Sequence, residues 1–185
     1  RDRCIAHVDI IEFQKRCLPH THLMIWLKEA DRPRTPEEYD KFICAELPDP
    51  DKNPELFDLV SKLMIHGPCG KDNPKSQCMV GGKCSKGYPK PLQAHTTHGG
   101  ENIYPLYRRR HPKHGGFTVK IKIRDQGNKP FTVDNSWIIP YNPVLLLKYQ
   151  AHINLELVAT VLGIKYLFKY FHKGPDRVMV EVEGK

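Results

Sequence analysis

Two runs rich in β-branched and apolar residues, "IAHVDIIEFQ" (residues 5–14) and "THLMIWL" (21–27), are separated by the polar stretch "KRCLPH". They predict two antiparallel strands joined as a hairpin. The apolar spacing then becomes helical. In "TPEEYDKFICAEL", Thr35 is placed to cap, Pro36 to occupy the first turn, and Tyr39, Phe42 and Ile43 to form an apolar face. "NPELFDLVSKLMIHG" repeats the device with Asn53 and Pro54, a stripe of Leu56, Leu59, Val60, Leu63 and Met64, and Gly67 as the stop. Periodicity disappears over residues 66–102, so something other than apolar burial must order that loop. "GFTVKIKIRD" alternates again, with Phe117, Val119, Ile121 and Ile123 on one side and Thr118, Lys120, Lys122 and Arg124 on the other. "SWIIPYNPVLLLKYQAHINLELV" predicts a turn, a short helix and a strand, and "TVLGIKYLFKYFHKG" a helix ended by Gly174 and Pro175. This order reads as α+β, an antiparallel sheet with helices packed on it.

A chain of 185 residues suits one domain, with an inserted subdomain at 66–102. Its 29 Lys and Arg against 21 Asp and Glu leave a net charge of +8, which favours a polyanionic partner such as nucleic acid. No run approaches the roughly 18 apolar residues of a membrane helix, and "RDRCIAHVDI" lacks a signal-peptide core. A soluble protein without a membrane partner is expected, its compartment left open. Because the chain opens on a strand already under way, it reads as a piece of something longer.

Three of the six cysteines, Cys69, Cys78 and Cys84, crowd into the aperiodic loop beside histidines, where metal is a better reading than disulfides. "HGPCGKDNPKSQCMVGGKC" offers His66, Cys69, Cys78 and Cys84 as a closed tetrahedral zinc set, with His95 or His98 as alternatives to His66. The loop could also present Lys71, Lys75, Lys83, Lys86 and Lys90 to DNA. In "LPHTH", His20 and His22 alternate onto one face of a strand and can address one divalent ion, although a bare His-x-His is more often a hydrogen-bonded structural pair. Glu12 and Gln14 share a face of the neighbouring strand, and an oxygen ligand from there would favour Mn²⁺ or Mg²⁺. Tyr166 and Tyr170 are four apart on a helix, so both phenols can reach one site, while packing beside Leu167, Phe168 and Phe171 is the plainer account. Lys169 and Lys173 lie close enough to lower a phenol's pKa or to contact DNA. In "LYRRRHPKHGG", Arg108, Arg109 and Arg110 are candidate phosphate clamps, with Tyr104 and Tyr107 positioned to stack on unpaired bases. His152 and Asn154 of "AHINLE" are assigned to core hydrogen bonding.

Considered together, "EFQKRCLPHTH", "HGPCG", "CMVGGKCSKGYPK", "YRRR", "YNPVLLLKYQAHINLE" and "YLFKYFHKG" resemble, in order, the blocks of the replication-initiator nuclease domain of Helitron transposases, a branch of the HUH endonucleases. The resemblance spans nearly the whole chain. It implies an HUH/Rep-like fold with an RRM-like core over residues 1–185. It also implies a tyrosine endonuclease and strand transferase that nicks single-stranded DNA through a 5′-phosphotyrosine during rolling-circle transposition. His20 and His22 would hold catalytic Mg or Mn, with the third ligand from Glu12 or, preferred, Gln14. Tyr166 and Tyr170 would be the nucleophiles, a structural zinc would sit in the loop, and a helicase domain would follow. Residence in the nucleus would be expected in a eukaryote, and an intracellular location otherwise. Cys17 departs from the glycine expected there, and no "GxxxxGK[ST]" phosphate loop is present. The competing reading is a zinc-containing nucleic-acid-binding module without catalytic activity.

Overall fold

The computed structural model describes residues 3–13, 19–99, 104–123 and 127–158. Its contacts form two compact units, one containing the N-terminal hairpin up to Pro33 and the other spanning Arg34–Leu157. The architecture is α+β, with small antiparallel sheets and three α-helices among the described residues. None of these helices is long and apolar enough to cross a membrane.

In the first unit, strands β1 (Cys4–Phe13) and β2 (Pro19–Leu27) pair antiparallel, as the apolar runs predict. Ile10 faces His22 and Glu12 faces His20 across the ladder. Directly paired residues share a face, so Val8, Ile10, Glu12, His20, His22 and Met24 line one half-buried side. Ile5, Ile11, Phe13, Leu23 and Ile25 lie exposed along the strands.

The second unit begins with α1 (Pro36–Phe42), which carries the capping box its sequence specifies. Thr35 Oγ1 accepts the Glu38 N–H at 3.3 Å, while Glu38 Oε2 accepts the Thr35 N–H at 3.2 Å. Helix α2 (Pro54–Leu63) also starts on a proline, but the Asn53 side chain makes no cap hydrogen bond. Asp49 organises that turn instead, its Oδ1 accepting the Asp51 N–H at 3.0 Å and its backbone carbonyl the Asn53 N–H at 2.9 Å. The helix ends at Leu63 with Met64 as its C-cap, short of the expected Gly67, because Met64 O accepts the Ile139 N–H and the His66 N–H donates to Trp137 O instead. A short hairpin follows, β3 (Met79–Val80) with β4 (Lys83–Cys84), then the longer pair β5 (Val119–Ile123) and β6 (Lys129–Val133), then α3 (Pro143–Tyr149). Among the described residues the three sheets are separate two-stranded ladders rather than one continuous sheet. The strand expected after α3 is absent from 150–158; that segment runs without ladder pairing, held by the Leu155 N–H to Pro140 O at 3.0 Å.

The stripe of α2 and the inner face of β6 meet in the main core, which contains Leu47, Leu56, Val60, Met64, Val133, Trp137, Ile138, Tyr141 and Leu146. Cys69 belongs to the same core at 2% exposed. Residues 66–99 therefore lie within the second unit, tied into its core. Gly116 is required by packing: a Cβ there would stand 2.2 Å from the Arg110 carbonyl oxygen.

Candidate functional site

Four ligand atoms, from His66, Cys69, Cys78 and Cys84, lie within 4.8 Å of one another. Each is delivered by a different local device. Leaving α2, the chain bonds the His66 N–H to Trp137 O at 2.9 Å, which aims the imidazole back at the loop. Cys69 follows three residues later, its thiol donating to Tyr88 O at 3.8 Å. Gly70 then reverses the chain at φ +67°, and its N–H meets Met79 Sδ at 3.2 Å. Cys78 and Cys84 flank the β3–β4 hairpin, whose turn residues Gly81 and Gly82 both take positive φ, at 57° and 78°. His66 Nε2 sits 3.5 Å from Cys84 Sγ, and its ring stacks on Tyr88 with centroids 4.1 Å apart. The alternative histidine His98 is engaged elsewhere, with Nδ1 3.2 Å from the Tyr39 hydroxyl, and His95 lies outside the cluster.

The donor set fits a metal such as zinc. Three sulfurs and one imidazole complete a tetrahedron and leave no position for substrate, which is the pattern of a structural site. Burial, assisted by the neighbouring thiols, pushes the Cys69 thiol up to about 12. Burial acts the same way on Cys84, but backbone N–H groups at Tyr88 and Lys86 and the adjacent thiols outweigh it and lower its pKa. His66 is lowered by burial and by Lys90 and Lys86, which favours the neutral imidazole that ligates metal. Without metal, three thiols would share this corner of the core at close range.

On the hairpin of the first unit, the rings of His20 and His22 stand 4.7 Å apart, and Glu12 Oε2 lies 3.6 Å from His22 Nε2. Sequence spacing alone left open whether an oxygen ligand would face the histidines; the register places Glu12 beside them. Gln14 and Cys17 lie outside the described residues, as do Tyr166, Tyr170, Lys169 and Lys173.

In the arginine run the correction concerns Arg109 alone. Arg109, expected to clamp phosphate, is 4% exposed. Its guanidinium donates to Asn135 O and Ile138 O, each at 2.6 Å, and to Ala45 O at 3.3 Å. Residues 108–110 run extended, with Arg109 paired to Gln93, so alternation sends the middle side chain inward. Arg108 and Arg110 emerge on the other side and converge on Glu46, which is 3% exposed. Arg110 contacts it at 2.7 Å and Arg108 at 3.2 Å. Burial raises the Glu46 carboxyl, but hydrogen bonds from Arg110 and the charges of both arginines outweigh it and hold it below its ordinary value. Tyr107, expected to stack on bases, is 5% exposed, its hydroxyl accepting the Leu157 N–H at 2.9 Å. His152 and Asn154, expected in core hydrogen bonding, are both exposed; His152 does hold a hydrogen bond, Nδ1 to Leu63 O at 2.7 Å, but at the surface.

Sequence reasoning passed over Glu156, which ends the "AHINLE" block. Its Oε2 is buried without a hydrogen-bond partner, and burial pushes the carboxyl up to about 7 against the pull of the Tyr107 hydroxyl, Arg109 and Lys90. A carboxyl raised in the folded state contributes stability that is complete below its unfolded pKa of about 4.5 and is lost as pH rises through about 7. Glu156→Gln, which mimics the protonated form, is expected to match the parent near pH 4 and to exceed it by roughly 2 kcal/mol at pH 8. Urea denaturation across that range checks this; parallel pH profiles for the two proteins would refute it. No protein-family model and no curated protein matches the chain.

Proposed function

We propose that the chain is an HUH-type nuclease domain of the Helitron transposase kind, nicking single-stranded DNA, with a structural zinc in its 66–84 loop. The observation that carries the reading is the placement of His20, His22 and Glu12 on one face of a two-stranded hairpin. With Glu12 or the preferred Gln14 as third ligand, two imidazoles and an oxygen donor would give a mixed nitrogen and oxygen set with open positions, suited to Mn²⁺ or Mg²⁺. His20 and His22 would hold the ion, which would supply Lewis-acid polarisation of the scissile phosphate. The hydroxyl of Tyr166 or Tyr170 attacks phosphorus, and the 3′ oxygen departs with a proton. A 5′-phosphotyrosine remains that conserves the energy of the broken bond for rejoining. In this reading the hairpin belongs to an RRM-like sheet, and the domain acts beside a helicase that opens the duplex.

The test is incubation with labelled single-stranded DNA and Mn²⁺, followed by denaturing electrophoresis for a covalent protein–DNA adduct. His20→Ala and His22→Ala are each expected to lower adduct formation at least about a hundredfold, since even an outer partner of a metal ligand is worth 10–100-fold. Tyr166→Phe and Tyr170→Phe identify the attacker. Absence of adduct across varied DNA sequences would overturn the proposal. The four-ligand cluster on its own favours a second reading, a zinc-containing nucleic-acid-binding module. That reading predicts DNA binding and stoichiometric zinc with no adduct in any protein.

A further inference from the structure

Arg109 is interior, and Arg108 and Arg110 share the single carboxylate of Glu46, so the arginine run offers fewer open cations than its sequence suggests. The open cations of the zinc loop lie elsewhere. Four lysines and a single acid, Asp72, fall between His66 and Lys90. Lys71, Lys75, Lys83 and Lys86 are exposed, and among the described residues none of the four has a carboxylate within ion-pair distance. A zinc ion with three thiolates carries one net negative charge, too little to cancel them.

The β3–β4 hairpin sorts its residues by face. Met79 pairs with Cys84, and both pack against the main core. Val80 pairs with Lys83 on the other face, at the tip beside Gly81 and Gly82, and Val80 is 70% exposed, the highest value among the large hydrophobics of the described residues. Two metal ligands, Cys78 and Cys84, hold the base of this hairpin. A metal held at that base would brace the hairpin, which carries an exposed apolar side chain at its tip with Lys83 paired beside it and packs it against nothing in the core.

We propose that this metal-clamped hairpin is a contact surface for single-stranded DNA, with Val80 set against an unpaired base and Lys83 and Lys86 against flanking phosphates. Apolar side chains at the tips of DNA-binding elements pack against base faces, and lysines near them contact the phosphate backbone. A single strand fits better than a duplex, because its bases are open to an apolar tip without the cost of unstacking. The inference rests on the reading of the chain as acting on single-stranded DNA.

The experiment is fluorescence anisotropy with the full chain and a labelled 20-nucleotide oligodeoxythymidylate over a range of salt, without added divalent metal. Lys83→Ala combined with Lys86→Ala is expected to reduce the slope of log affinity against log salt by about 1.4, as loss of two single-strand phosphate contacts requires. Val80→Ser is expected to weaken binding roughly fivefold at every salt concentration with the slope unchanged. Zinc content of one per chain in each variant verifies that the hairpin remains braced. Unchanged affinity and slope in variants that retain zinc would overturn the proposal. So would loss of affinity confined to Lys120→Ala with Lys122→Ala on the exposed face of β5. The adduct assay separates this outcome from the catalytic reading: variants that bind normally while the parent forms adduct sink only the hairpin, and variants that bind poorly while no protein forms adduct sink only the nuclease.

Discussion

Cys69→Ser is expected to purify without its metal and with the second unit largely unfolded, the largest stability effect available in this chain. The reason is position as much as ligation. Cys69 is 2% exposed and packs in the same core as Val60, Met64, Ile138 and Tyr141. Its loss therefore opens the metal centre and places a hydroxyl among apolar side chains. Zinc binding contributes about 10–16 kcal/mol in small zinc-ordered peptides, as much as or more than the 5–15 kcal/mol by which whole domains are stable. Metal analysis and circular dichroism melting read the result, with Cys4→Ser in the first unit as a control that keeps both zinc and the melting transition. Chelator added to the unmodified protein should abolish the same transition and excess zinc restore it. A protein that purifies metal-free and melts identically with and without chelator would remove the metal centre from the account.

Glu46→Ala should destabilise the second unit by about 3 kcal/mol, because it strands two cations around a buried polar cluster. Glu46 accepts from Arg108 and Arg110 and lies 3.5 Å from Asn135 Nδ2. Asn135 in turn accepts the Leu47 N–H at 2.8 Å, so the carboxylate underlies a network reaching into the core. Part of the pair energy is screened, since both arginine side chains are more than a third exposed. The pH dependence has the opposite sign to that of Glu156. A carboxyl depressed in the folded state contributes stability above its unfolded pKa, and this is lost as pH falls through the folded value, so the Glu46 contribution disappears in acid. Urea midpoints of the variant and parent at pH 7 and at pH 3 measure both parts. A difference at pH 7 below about 1 kcal/mol, or one that persists undiminished at pH 3, would refute the assignment.

The outcome for the arginine run explains why charge patterns mislead. Three consecutive arginines read as a surface feature because charged residues are usually solvated, yet on extended backbone neighbours point to opposite sides. One of any three must then face whatever lies behind the strand, and here that is a set of carbonyl groups shaped to receive it. The histidine choice in the metal cluster has a similar cause. His66 is the first candidate in the sequence, with His95 or His98 as alternatives, and the hydrogen bonds of residues 64–66 to 137–139 keep His66 in the cluster. Glu156 carried no legible signal, since a lone carboxyl in a mixed segment is ordinarily exposed and only the packing around Tyr107 and Arg109 makes it unusual.

By itself the sequence determined the features that depend on residues a few positions apart: the hairpin from its apolar runs, the starts of α1 and α2 from Thr35, Pro36 and Pro54, the alternation of β5, and the soft-ligand loop. Tertiary structure decided what depends on distant partners. Arg110 meets a carboxylate 64 positions away and Leu47 an amide 88 away. These pairings turned apparent DNA contacts into structural supports and drew Cys69 into the core. Local pattern encodes which way a side chain faces its own element; only the fold supplies what waits on that side.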